Sequence, residues 1–197
     1  MSLEVFIALL GFSFVASATP GPNTLMLFAS GINFGFKRTV PHMVGVIIGF
    51  AALLLAVGFG LGALFERIPH LFTAIKVLGG IYMLYLAWRI ANAGAIESKG
   101  SGAAPMRMHE AALFQWVNPK AWIMGGIAVA LYTSPENYTW TVVLVVLAFV
   151  LVSLPSVILW AGFGTALRRL LSDPVWLRRI NIAMALALVA SLWPMLR

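Results

Sequence analysis

The sequence predicts an all-α polytopic membrane protein with six transmembrane helices, arranged as two inverted three-helix repeats. Of its 197 residues, 61% are hydrophobic and 10% are charged, and the mean hydropathy is +0.97, whereas a soluble domain is about 25% charged. The apolar runs are long enough for helices, because a helix crosses a bilayer in about 20 residues and a barrel strand in about 10. We expect a single transmembrane domain over residues 1–197, with half-repeats at about 1–92 and 107–197 and a cytoplasmic linker at about 93–106.

The first predicted span covers residues 3–28 approximately and contains a proline-rich break. Its start resembles a signal peptide, because an apolar stretch is followed by Ala16-Ser17-Ala18, a sequence typical of cleavage sites. The residues before that stretch include no Lys or Arg, which a signal peptide normally has. We therefore expect the first span to be retained.

The second predicted span covers about 40–64 and carries two glycine pairs at a small-xxx-small spacing, Gly45 with Gly49 and Gly58 with Gly62. Such pairs let helix backbones approach closely in lipid. The remaining spans cover about 70–92, 108–132, 139–165 and 175–196. An odd number of spans in each half gives the halves opposite topology, an arrangement typical of secondary transporters.

The basic residues predict the orientation. Most of them lie in the first, third and fifth connections, which the positive-inside rule places in the cytoplasm. These residues are Lys37, Arg38, Arg89, Lys99, Arg107, Arg168, Arg169, Arg178 and Arg179. Both termini are then outside the cell. Since the net charge of +7 is spread over short connections, we do not expect a nucleic acid partner.

The break in the first span is Thr19-Pro20-Gly21-Pro22-Asn23. The prolines lack N–H groups and interrupt the helix, and in lipid the freed carbonyls need partners in protein or in a wet cavity. A helix that restarts from Asn23 would point its N–H groups at the break and favour a carboxylate. Freed carbonyls near Val15 and Ala16 would suit an ammonium group. The two ends together suit a zwitterion, although a proline kink that serves only packing explains the pattern equally well.

A second polar break, Asn118-Pro119-Lys120, interrupts the fourth span. If this span starts near Met108, Lys120 lies near mid-membrane, where a charged side chain is costly and typically functional. If it starts near Leu113, Lys120 could reach the cytoplasmic interface, and the two breaks would face each other on that side. We favour a functional Lys120.

Other polar residues are weaker candidates. Ser17 adds donors and acceptors at the first break, and Ser153 and Ser156, beside Pro155, could line the same cavity or only mark a kinked helix. The three histidines, His42, His70 and His109, lie at span ends without metal-ligand spacing and are interpreted as interfacial. There is no cysteine, and no Asp or Glu lies well inside a span. We therefore expect no metal, no cofactor and no enzymatic activity.

Taken together, these features resemble the LysE/RhtB family of bacterial amino-acid exporters. Thr19-Pro20-Gly21-Pro22-Asn23 is similar to the family's most specific signature, and Gly31, Gly35 and Lys37-Arg38 fit the connection that follows it. Phe114 to Ala121, with Asn118-Pro119-Lys120, fits its second signature. The resemblance extends over essentially the whole chain.

The resemblance implies an inner-membrane exporter that moves amino acids out of the cytoplasm, driven by protons. It puts functional weight on the matched residues, which are Thr19, Pro20, Gly21, Pro22, Asn23, Asn118, Pro119 and Lys120. Because no acidic cluster marks a site for a cationic side chain, a neutral amino acid is favoured slightly. Expected partners are that substrate, membrane lipid, protons and, as one option, a second copy of the chain. The alternative is a membrane scaffold or accessory subunit that transports nothing.

Overall fold

The computed structural model describes residues 1–62, 67–68, 70–93, 104–170 and 173–193. Most of the predicted linker, residues 94–103, lies outside the described residues. All regular secondary structure in the described part is helical, as predicted. Its α-helices are α1 (Leu3–Ala18), α2 (Pro22–Phe34), α3 (Phe36–Ala56), α4 (Leu71–Asn92), α5 (Met108–Val117), α6 (Pro119–Tyr132), α7 (Tyr138–Leu170) and α8 (Pro174–Ala190). A π-helical turn, Val57–Leu61, follows α3, and a 3₁₀ turn, Pro135–Asn137, precedes α7.

Three helical stretches of the described chain are long and apolar enough to cross a membrane: Phe36–Leu61, Leu71–Asn92 and Pro135–Arg168. A fourth span results if α1 and α2 form one bent span. Large apolar side chains remain exposed on these helices, among them Leu151 and Phe163 at 64% and 62%. Such surfaces are unfavourable in water and suit a lipid environment. The chain is therefore a multi-pass helical membrane protein, and the division into six spans stays a prediction.

The first break separates α1 from α2, whose axes differ by 54°. α2 begins at Pro22, one residue earlier than predicted, because proline tolerates the first helical position, where no N–H is needed. Gly21 has extended backbone angles, and its N–H donates to the Thr24 hydroxyl at 2.8 Å. The Thr24 hydroxyl in turn donates to the Gly21 carbonyl at 2.9 Å. Thr24 thus fixes the start of α2.

The second break is a single residue, Asn118, between α5 and α6. Its backbone is extended, and its side-chain oxygen accepts the Lys120 N–H at 3.1 Å, which caps α6. Pro119 occupies the first position of α6, as Pro22 does in α2. α5 begins at Met108, the earlier of the two starts considered for this span.

The closest helix pairs are α2 with α7, α3 with α5, and α4 with α8. Each interrupted helix pair therefore packs on a long helix of the other half, an exchange that an inverted repeat would produce. Gly45 and Gly49 allow the α3–α5 approach, because an added Cβ would lie 2.2 Å from the Met108 carbonyl oxygen and 2.5 Å from Ala112. In the second glycine pair, an added Cβ at Gly58 would lie 2.6 Å from the side chain of Val142 on α7, so this glycine also allows a close approach. The expectation is wrong for Gly62, which among the described residues meets only Val57 of its own turn.

Candidate functional site

The two half-helices α2 and α6 begin at the same cavity, which we term the break cavity and which has a volume of about 80 Å³. This volume has room for several water molecules. Eight of the residues singled out in the sequence line it: Ser17, Gly21, Pro22, Asn23, Asn118, Lys120, Ser153 and Ser156. The apolar part of its wall includes Leu27, Val46, Phe50, Met124 and Phe149. The fold thus brings two motifs almost a hundred residues apart to one small, largely apolar space.

Lys120 joins the two breaks directly. Its Nζ donates to the backbone carbonyl of Thr19 at 3.0 Å, and it lies so close to Gly21 that an added Cβ there would be 3.0 Å from Nζ. In the described part of the chain, no carboxylate forms an ion pair with this ammonium group. Since Nζ has three donors, it can accept a further hydrogen-bonding partner from the cavity.

Asn23 pairs with Gln115 across the same interface. The Asn23 amide donates to Gln115 Oε1 at 2.8 Å, and the Gln115 amide donates to Asn23 Oδ1 at 3.0 Å. Gln115 is completely buried, and its amide also donates to the Ala111 carbonyl at 3.0 Å. The sequence interpretation gave no role to Gln115. The signal was its position one helical turn before Asn118, on an otherwise apolar helix.

Three serines connect α1 with α7 at the cavity. The hydroxyls of Ser17 and Ser153 lie 3.1 Å apart, and the Ser156 hydroxyl donates to the Ser17 carbonyl at 2.9 Å. In a continuous helix this carbonyl would accept the N–H of Gly21, which instead bonds Thr24. Ser156 therefore supplies the partner that the break removed, as the low polarity of lipid requires.

Three of the predicted site residues, Thr19, Pro20 and Pro119, do not line the cavity. Thr19 and Pro20 are exposed, and Pro119 is buried at the start of α6. The expectation of a free Val15 carbonyl is wrong, because both the N–H and the hydroxyl of Thr19 donate to it. Ala16 does line the cavity, and its carbonyl lacks the usual helical donor because Pro20 has no N–H.

The second break is satisfied within its own chain segment. The N–H of Asn118 donates to the Gln115 carbonyl at 3.3 Å, and the indole N–H of Trp122 donates to the Trp116 carbonyl at 2.8 Å. Carbonyls freed by Pro119 and by the Asn118 cap therefore have partners. This leaves the side chains of Asn118 and Lys120 to face the break cavity.

The charges at the break cavity are positive. Lys120 brings a positive charge, and the N-termini of α2 and α6, which are the positive ends of their helix dipoles, begin at the cavity. Among the described residues that line it, none is acidic. The described part of the chain also has no group of three His, Cys, Asp or Glu residues that could hold a metal ion. The arrangement can bind a small anion, such as a carboxylate.

His42 is not interfacial, contrary to the sequence interpretation. It is 2% exposed within α3, whereas His70 and His109 are exposed. Both ring nitrogens of His42 are buried and have no hydrogen-bond partner in the described part of the chain, and the residue lines a second cavity. The signal in the sequence was helical spacing, since His42 lies three and seven residues before Gly45 and Gly49, on the face that packs inward.

Comparison with known proteins finds a family and relatives that cover most of the chain. Residues 14–191 match the family model described as LysE type translocator. The chain is 28% identical over 183 residues to the cysteine/O-acetylserine efflux protein of Escherichia coli (strain K12), covering 90% of each chain. Proteins of the same name from Shigella flexneri serotype 5b (strain 8401) and Escherichia coli O1:K1 / APEC are 28% and 27% identical over the same shares. No solved structure is significantly similar to this chain.

Proposed function

Because this chain belongs to the LysE type translocator family, and is therefore a transporter and not an enzyme, we propose that it exports a small neutral amino acid from the bacterial cytoplasm across the inner membrane. The relatives named for efflux of cysteine and O-acetylserine support an amino-acid substrate. Both named compounds have uncharged side chains, which supports a neutral substrate. Proton coupling enters the proposal from the family resemblance.

In the proposed complex, the substrate carboxylate binds the ammonium of Lys120 at the N-termini of α2 and α6. The observation that carries this assignment is an ammonium group without an ion-pair partner in the described chain, beside two helix N-termini at one cavity. A hydrogen bond between charged groups contributes about 1.5–3 kcal/mol, so Lys120 is the strongest single contact available to a carboxylate.

The substrate ammonium is assigned to oxygen acceptors that line the same cavity. There the Ala16 carbonyl lacks its helical donor, and the oxygens of Asn23 and Ser17 lie at the same cavity. A cationic side chain would need a further anionic partner, and the described lining has no carboxylate to provide one. The small cavity and its apolar wall therefore favour a short, uncharged side chain.

The proposed orientation places the basic connections in the cytoplasm and both termini outside, with six spans in two inverted halves. The reciprocal packing of α2 on α7 and of α5 on α3 supports this symmetry. In such a transporter, the cavity where broken helices meet is the substrate site, and it opens alternately to the two sides.

Uptake by everted membrane vesicles tests the proposal, because their outer surface is the cytoplasmic face. Vesicles with the wild-type protein should accumulate labelled O-acetyl-L-serine when their interior is acidic, and an uncoupler should abolish the accumulation. No uptake above that of vesicles without the protein, for this probe and for L-cysteine, would favour a scaffold role.

The site assignment is tested by the double variant Asn23→Ala, Lys120→Ala. It should lose uptake, whereas Lys76→Ala, the same change at a lysine on α4 away from the cavity, should retain it. Wild-type uptake by the double variant would contradict the assignment of the break cavity, even if the protein is an exporter.

A further inference from the structure

A second and larger cavity, which we term the His42 cavity, lies between α2, α3 and α4 and has a volume of about 330 Å³. Its wall combines apolar side chains with several polar ones. The polar residues are Ser30, Asn33, His42, Arg89 and Asn92, and none of the described lining residues is acidic. The cavity lies at the ends of α2 and α4 that lead into the first and third connections, which are predicted to be cytoplasmic.

Among the described lining residues, His42 is the buried side chain that makes no hydrogen bond. Ser30 pairs with Thr39 at 2.9 Å, and Asn33 pairs reciprocally with Asn181 at 2.8 and 2.9 Å. Both nitrogens of the His42 ring lack a partner among the residues that the structure describes. Buried polar groups in proteins are nearly always satisfied, and an exception calls for a ligand, water or ion. A neutral imidazole offers one donor and one acceptor, so the missing partner is a polar group that enters the cavity.

Arg89 adds a positive charge to the lining of the same cavity. Its guanidinium donates to the Ala104 carbonyl at 3.1 Å and lies 5.9 Å from the centre of the Tyr85 ring. A guanidinium has five N–H donors, so donors remain for a ligand. An imidazole and a guanidinium that line one cavity, without a carboxylate in the described lining, favour a ligand that carries a carboxylate.

The two cavities follow each other along the same two helices. On α2, Leu27 lines the break cavity and the adjacent Met26 lines the His42 cavity. On α3, Val46 lines the break cavity and His42, one turn earlier, lines the His42 cavity. Met26, Leu27 and Val46 belong to one buried hydrophobic cluster together with Met43. These apolar residues contribute to the walls of both cavities and form the boundary that a ligand must pass between them.

We propose that the His42 cavity is an entry site, which binds the carboxylate of the exported amino acid on the cytoplasmic side before the molecule reaches the break cavity. The inference rests on the proposed export function. His42 and Arg89 hold the carboxylate, and the wall of Met26, Leu27, Met43 and Val46 must open for the substrate to pass.

The test compares His42→Leu with the wild type in vesicles of both orientations, using labelled O-acetyl-L-serine. Leucine fills a similar volume without polar atoms, so the unfolding temperature should be unchanged or higher. In everted vesicles, the half-saturating concentration should rise about tenfold, as expected for loss of a charged hydrogen bond. In right-side-out vesicles, it should change less than about twofold. His109→Leu, at an exposed histidine of α5, is the matched control and should behave as wild type.

Arg89→Gln provides a second variant that does not depend on how His42→Leu folds. It removes the charge and should raise the half-saturating concentration on the cytoplasmic face in the same way. Unchanged values for both variants, or equal changes on both faces, would overturn the entry site while leaving the export function standing. Wild-type vesicles that transport neither O-acetyl-L-serine nor L-cysteine would overturn the proposed function, and the entry site with it.

Discussion

Single and double substitutions of Asn23 and Gln115 should show how much this side-chain pair contributes to stability and how much Asn23 contributes to transport. In Asn23→Ala, the buried Gln115 Oε1 loses its hydrogen-bond donor, whereas the Gln115 amide N–H keeps its hydrogen bond to the Ala111 carbonyl. An orphaned buried acceptor costs about 1–3 kcal/mol. In Gln115→Met, Asn23 loses its partner but lines the break cavity, where water can reach it, so the free energy of unfolding should fall by only about 0.5–1.5 kcal/mol.

The double variant Asn23→Ala, Gln115→Met leaves no orphaned group. Its loss of stability should therefore be smaller than the sum of the single losses, with a coupling of about 0.5–1.7 kcal/mol. Unfolding in mixed detergent micelles measures the three free energies. Uptake should fall in both variants that lack Asn23, whatever their stability. Losses of unfolding free energy that simply add in the double variant would refute this account of the pair. So would uptake that varies among the three variants only with their stability.

Glycine substitutions provide two further predictions, with Gly126→Ala as their common control because an added Cβ there meets nothing within 4 Å. Gly21→Ala should displace the Lys120 ammonium, because Nζ would lie 3.0 Å from the new Cβ. We expect lower uptake by vesicles and an unchanged unfolding temperature, and normal uptake would show that the position of Lys120 is unimportant. Gly31→Ala should lower the unfolding temperature and the yield of folded protein, because its Cβ would lie 2.3 Å from the backbone oxygen of Ala161; a stable variant would show that α2 and α7 can separate.

Much of the fold could be predicted because lipid leaves few alternatives for an apolar chain. Length and hydropathy located the helices, and the missing N–H groups of Pro20 and Pro22 located the break between α1 and α2. The same reasoning failed for Gly62, because small-residue spacing allows a close contact without supplying a partner helix at each glycine. Such partners depend on how distant spans pack, which local patterns do not encode.

The candidate site was only partly predictable for the same reason. Asn23 and Lys120 were selected from local chemistry, yet their partners are Gln115 and the Thr19 carbonyl, on segments far apart in the sequence. The break itself predicted freed carbonyls, but not that Thr19 would occupy the one at Val15. His42 was missed because its distance from the end of the span suggested an interface, whereas its helical face determines its burial.

The central claim is that Lys120 binds the carboxylate of an exported amino acid in the break cavity. The most direct test is the half-saturating concentration of O-acetyl-L-serine in everted vesicles for the wild type, Lys120→Arg and Lys120→Met, each at equal amounts of folded protein. We predict a rise of about tenfold or more for Lys120→Met and a smaller rise for Lys120→Arg, which keeps the charge. A wild-type value for Lys120→Met would contradict the claim.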